Sequence, residues 1–121
     1  MPKIKAFRAI RPATALASQV ASVPYDVVNR EEAKQLAQDN PHSFLHVVRP
    51  DIDLPADTNP YDDSIYQKAA SNLAALVAEG TLVRDDTERL YLYRQIMNGK
   101  SQVGLVCCSH VDDYENNRIL K

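Results

Sequence analysis

Glycine is scarce in this sequence: only Gly80, Gly99 and Gly104 occur. No two of them stand at the spacing of a P-loop or of the G-x-G-x-x-G dinucleotide fingerprint, so both of those phosphate cradles are excluded. Tryptophan is absent, and cysteine is confined to the adjacent pair Cys107 and Cys108. Successive strand residues point to opposite faces, so neighbouring thiols in a β-rich run do not form a structural disulfide. Thiols without a disulfide framework point to the cytoplasm. Positive charge is also in short supply, with 14 Lys plus Arg against 16 Asp plus Glu for a net charge of -2. That balance provides no long-range field to hold a phosphate backbone and argues against nucleic acid as a partner. No run approaches the roughly 18 apolar residues of a membrane span, and Met1 to Arg11 contains no apolar stretch resembling a secretory signal.

What is present is an ordinary globular mixture, 45% hydrophobic and 25% charged over 121 residues. It suits a single domain over residues 1–121 with one core. Ile4 to Ile10 reads as a first strand stopped by Pro12, and Ala13 to Val20 as a short helix with a thin apolar face. Asn29 followed by Glu32 forms a capping-box signature ahead of a helix over Arg30 to Gln38, which Asn40-Pro41 ends. Phe44, Leu45, Val47 and Val48 make a nearly continuous apolar run, which predicts a central strand over Ser43 to Val48. Pro50 to Pro60 reads as a surface loop. Ile65, Ala69, Leu73, Leu76 and Val77 recur at helical spacing between Asp62 and Gly80, the latter a left-handed C-cap. Thr81 to Val83 predicts a short strand before a polar turn. Leu90 to Met97 and Val103 to Val111 are β-rich runs joined through Asn98-Gly99, the favoured dipeptide of a two-residue hairpin. Asp112 to Asn117 reads as a loop. The expected class is α+β, a small mixed sheet with a C-terminal β-hairpin and two to three helices.

Few constellations carry chemistry. His42 and His46 share one face of the expected strand but stand about 13 Å apart at roughly 3.3 Å per residue, so they do not chelate one ion and no metal is assigned. Cys108 and His110 are about 6 to 7 Å apart by the same rise, too far for thiol activation. The acidic pairs Asp62-Asp63, Asp85-Asp86, Asp112-Asp113 and Glu31-Glu32 sit at helix starts and turns, where solvation or the helix dipole accounts for them. The helix ending at Gly80 followed by a hairpin resembles the last helix and wing of a winged-helix DNA-binding domain. That helix offers only Lys68 against Asp62, Asp63 and Glu79, a poor donor set for a groove. Two peptides stand out: Val23 to Val28, which places Tyr25 and Asp26 behind a fixed proline, and Asn40 to Pro50, which contains His46 and Arg49. Both also read as turn chemistry, with Tyr25 packing and Asp26 capping.

Phe7-Arg8-Ala9-Ile10-Arg11-Pro12, Pro24-Tyr25-Asp26-Val27-Val28 with Glu31-Glu32-Ala33, Asn40-Pro41-His42-Ser43-Phe44-Leu45-His46-Val47 and Tyr91-Leu92-Tyr93-Arg94-Gln95 resemble, in order and spacing, successive blocks of the prokaryotic "domain of unknown function 1015" family. The resemblance covers essentially the whole chain. Family members run to several hundred residues, so it implies that this chain is the N-terminal segment of a longer parent. Relatives continue with a His-Glu segment and an Asp-Gly-His-His-Arg block similar to ParB-like proteins, a group including nucleotide hydrolases and free-serine kinases; neither block occurs here. The resemblance therefore implies a nucleotide or small-molecule binding segment of a ParB-like phosphotransferase, not catalytic alone. No catalytic residue or cofactor is assigned. Its pocket candidates are Tyr25, Asp26, His46, Arg49 and Arg94, which lie in matching blocks and carry polar heads suited to anion or proton handling. The alternatives are a winged-helix DNA-binding regulator, or a noncatalytic structural or interaction domain that forms a homo-oligomer through an exposed sheet edge.

Overall fold

The computed structural model describes residues 2–119. Its class is α+β. The chain divides into two compact units, a helical one of residues 11–83 and a strand-rich one formed by residues 2–10 and 84–119. In order the elements are β1 (Ile4–Lys5), β2 (Ile10–Pro12), a 3₁₀ turn (Thr14–Leu16), α1 (Ala17–Val20), α2 (Arg30–Ala37), α3 (Leu45–Val48), a second 3₁₀ turn (Pro50–Asp53), α4 (Asp63–Ala78), β3 (Leu82–Arg84), β4 (Tyr91–Met97), β5 (Lys100–Val106), β6 (Cys108–Ser109) and α5 (Val111–Glu115). The strands pair two by two: β1 with β6, β2 with β3, and β4 with β5.

In the helical unit the capping box forms as expected. The Asn29 side chain accepts from the Glu32 N–H and the Glu32 carboxylate accepts from the Asn29 N–H, both at 2.9 Å, so two orphan donors of α2 are satisfied reciprocally. Helix α4 starts at the Asp62 cap, whose carboxylate accepts from the Ser64 N–H at 2.8 Å. It ends before Gly80, whose φ of 78° only glycine adopts at no steric cost.

The segment expected as a central strand is instead the single-turn helix α3. Its apolar run serves two clusters at once. Leu45 belongs to a core with Ala33, Ala37 and Ile52, against which Val48 packs. Phe44 and Val47 pack on a second core of Val20, Leu76 and Leu82. Each pair is three residues apart, the helical repeat, so a continuous apolar run that suits a strand covered on both faces equally suits a helix wedged between two cores. Local polar chemistry decides between them. Asn40 Oδ1 accepts from the His42 N–H at 3.2 Å and Ser43 Oγ from the Leu45 N–H at 3.3 Å, which turns the chain into α3. The 50–60 loop likewise begins with a 3₁₀ turn whose Ile52 is buried in the first core.

The strand-rich unit is built on the β4–β5 hairpin, in register from Tyr91↔Val106 to Met97↔Lys100. Asn98 and Gly99 form its two-residue turn with φ of 52° and 74°, as an Asn-Gly hairpin requires. The single expected N-terminal strand is broken into short pieces. Ile4 and Lys5 pair with Ser109 and Cys108, and Phe7 forms an isolated bridge with Arg89. The Tyr91 ring packs tilted against Phe7 at 5.2 Å, and its hydroxyl donates to Asp85 and accepts from the Ala9 N–H at 2.9 Å. Val111, expected to end a strand, and residues 112–115, expected as loop, form α5, capped by the His110 ring, which accepts from the Asp112 N–H. Its buried Asp113 accepts from the Lys3 N–H at 2.9 Å and faces Arg118 at 3.4 Å. The Lys3 N–H and the Arg118 guanidinium hold the Asp113 carboxyl below its ordinary range.

Leu45 is 2% exposed whereas Leu73 on α4 is 37% exposed. Leu45→Ala is therefore expected to cost about 3 kcal/mol and Leu73→Ala less than about 1.5 kcal/mol, read as the shift of the urea midpoint at unchanged slope.

Candidate functional site

Two clefts open in the helical unit. The larger, about 630 Å³, is lined by Tyr25, Arg30, Arg49, Asp51, Thr58 and Tyr66 among others. Its wall is assembled by guanidinium chemistry. Arg49 meets the Asp51 carboxylate with both forks, Nε to Oδ1 at 3.0 Å and Nη2 to Oδ2 at 2.8 Å. Its remaining Nη1 donates to the carbonyls of Val28 at 2.6 Å and Tyr25 at 3.3 Å. One side chain thus ties the 3₁₀ turn after α3 to the Tyr25–Val28 turn ahead of α2. Arg30, first residue of α2, reaches the same turn, donating to the carbonyls of Asp51 at 3.2 Å and Leu54 at 2.9 Å and to Glu31 at 2.9 Å.

This pairing moves both partners' proton affinities. Hydrogen bonding to Asp51, against the cost of burial, raises Arg49 above its already high value, and hydrogen bonding to Arg49 holds the Asp51 carboxyl below the ordinary carboxylate range. A guanidinium has five N–H donors, and the bonds above leave part of that capacity on Arg30 and Arg49 open to a ligand. Two tyrosines border the cleft with most of their surface in solvent, Tyr25 at 61% and Tyr66 at 66% exposure.

The second cleft, about 410 Å³, is lined by Glu31, Lys34, Gln35, Gln38, His46 and Asp53 over an apolar floor of Ala37 and Ile52. His46 Nδ1 faces the Asp53 carboxylate at 2.8 Å and Nε2 faces the Asn40 carbonyl at 3.1 Å. Asn72 of α4 donates to both the His46 carbonyl at 2.7 Å and Asp53 at 3.0 Å. With both ring nitrogens engaged, His46 acts as a brace between α3, the 3₁₀ turn and α4. His42 is separately held, its Nδ1 3.1 Å from Thr81 Oγ1. The two histidines sit on a turn and a helix, so the strand spacing expected for them does not apply. Among the described residues no group of three or more His, Cys, Asp or Glu is placed to hold a metal ion.

Of the residues singled out in the sequence, Tyr25 and Arg49 share the larger cleft and His46 lines the smaller one. Asp26 follows Tyr25 in an exposed turn and lines neither. Arg94 lies on β4 of the strand-rich unit. Arg30 and Tyr66 were missed. Tyr66 shares the helical spacing of Ala69, Leu73 and Val77 and so read as one more residue of the apolar stripe of α4, and Arg30 read only as the first residue of a well-capped helix.

The sign of the Asp51 shift fixes a pH dependence. A carboxylate with a lowered folded-state pKa contributes stability that is present above its unfolded value, near pH 4, and is lost as pH falls through the folded value. Asp51→Asn is expected to be less stable than wild type at pH 7 and to lose less stability between about pH 5 and 2, measured by urea unfolding across that range. Arg49→Ala, which strands the Val28 and Tyr25 carbonyls, is expected to cost about 1–3 kcal/mol at pH 7. Arg49→Lys restores little of it, because an ammonium lacks the fork.

Among the described residues no helix is long and apolar enough to cross a membrane. No curated protein and no solved structure matches the chain. One family model does, over residues 4–121, essentially the full length, and it bears out the resemblance carried by the ordered blocks. The chain belongs to the family described as "Protein of unknown function (DUF1015)".

Proposed function

We propose that the cleft bounded by Tyr25, Arg30, Arg49 and Tyr66 binds a small phosphate-bearing ligand, a nucleotide in the first instance, as the ligand-binding segment of a ParB-like phosphotransferase. The observation that carries the reading is the coincidence in one cleft of spare guanidinium donors and exposed aromatic rings. Guanidinium N–H groups match phosphate oxygens, and a tyrosine face accepts a base by stacking. A volume of about 630 Å³ suits a ligand of that size. The negative end of the ligand belongs at the arginines and not at the start of α4, where Asp62 and Asp63 already compensate the helix dipole.

The cleft's groups position and do not react. Arg49 and Asp51 neutralise one another, and the one histidine bonded to a carboxylate in this unit, His46, has both ring nitrogens occupied at the other cleft. Chemistry on the ligand would draw its reacting groups from beyond these residues.

Thermal shift with ATP, ADP and serine tests the reading. A nucleotide is expected to raise the melting temperature in a concentration-dependent way, by about 2.7 kcal/mol of stabilisation at a hundredfold excess over Kd. Tyr66→Ala, at an exposed position, is expected to keep the unliganded melting temperature while weakening the nucleotide by about 1–3 kcal/mol. No stabilisation by either nucleotide, or an unchanged affinity in Tyr66→Ala, would refute it.

A further inference from the structure

The β4–β5 hairpin carries a second recognition surface, independent of the cleft. Alternation along the strands and the observed register place Leu92, Arg94 and Ile96 of β4 on one face with Leu105, Val103 and Ser101 of β5 opposite them. The four apolar side chains of this face are all exposed, Leu92 by 78% and Ile96 by 64%. A two-stranded ribbon is marginal in water without a third strand or a helix upon it, and contiguous exposed apolar surface marks an interaction site. Arg94, at the fourth of seven rungs, is the face's single charge, and it makes no hydrogen bond or ion pair among the described residues.

From this charge pattern we infer that the face docks an amphipathic helix of a partner protein that carries a carboxylate at the centre of its apolar stripe. The dimensions fit one helix. A seven-residue strand is about 23 Å long and two strands lie about 5 Å apart, so roughly 16 residues of helix, four turns and about 10 Å across, cover the ribbon. The charge requires an acid. Burying Arg94 among Leu92, Ile96, Val103 and Leu105 without a partner leaves a desolvated guanidinium uncompensated, and the ribbon face supplies no carboxylate of its own. The same reasoning disfavours a second copy stacked on this face. A two-fold axis through the central rung brings Arg94 toward its symmetry mate, again without an acid on either side.

The test is a charge swap with two synthetic 16-residue helical peptides, identical in their Leu and Ile stripe but carrying Glu or Lys at its centre. With wild-type chain the Glu peptide is expected to shift the amide resonances of Leu92, Arg94, Ile96, Val103 and Leu105 and to bind more than about thirtyfold more tightly than the Lys peptide, which leaves two desolvated like charges uncompensated. Arg94→Glu is expected to invert that preference and Arg94→Gln to abolish it, both at unchanged melting temperature. Three results would overturn the inference: neither peptide perturbs this face, Arg94→Glu leaves the preference unaltered, or sedimentation equilibrium shows the wild-type chain to be a dimer closed over these residues.

Discussion

The helical unit depends on one guanidinium. Its cores are small, Ala33, Ala37, Leu45 and Ile52 in one and Val20, Leu76 and Leu82 in the other, so apolar burial alone leaves the turns between helices poorly determined. Arg49 determines them, bridging a carboxylate and two backbone carbonyls that belong to segments more than twenty residues away in sequence. Its planar fork fixes direction as well as distance, which a flexible ammonium does not. The His46–Asp53–Asn72 network repeats the device on the opposite side of the same 3₁₀ turn. Polar staples thus do much of the positioning that larger cores achieve by packing.

This division of labour constrains the functional reading. Charged residues of a cleft are often taken as ligand contacts, yet here they first hold the cleft open. Arg49 and Asp51 form its wall, and the proposed ligand would have the unbonded guanidinium donors and the two tyrosines. Asp26, whose carboxylate is of the same chemical kind, lies in the exposed turn and lines neither cleft. Residues of the matching blocks thus serve architecture first: Arg49 holds the Val28 carbonyl and His46 holds Asp53.

Elements governed by local rules were legible in the sequence. The Asn29–Glu32 box, the stripe of α4 with Gly80 behind it and the Asn98-Gly99 turn each depend on residues within one or two turns of each other. The segment 43–48 was not, because its apolar run lacks a distinguishing period and its helical state follows from having a core on each side. The site was half legible for a similar reason. Tyr25 and Arg49 were named because they lie in the matching blocks and carry polar heads, but that Arg30 and Arg49 meet at one cleft depends on bonds spanning 21 to 24 positions. No short-range pattern encodes such bonds. Arg94 was picked for its block and belongs to a different unit, where its meaning comes from the apolar face around it.

The strand-rich unit is sewn from segments far apart in sequence, with the Lys3 amide bonded to Asp113 across 110 positions. During synthesis β1 emerges about a hundred residues ahead of its partner β6, while the helical unit between them can already condense. At roughly 5–20 residues per second, the N-terminal strand waits on the order of 5 to 20 seconds for its partners. Closure of the strand-rich unit is thus a late, long-loop event in the life of each molecule, and that interval is when Phe7, which later packs on Tyr91, is most open to capture by other chains.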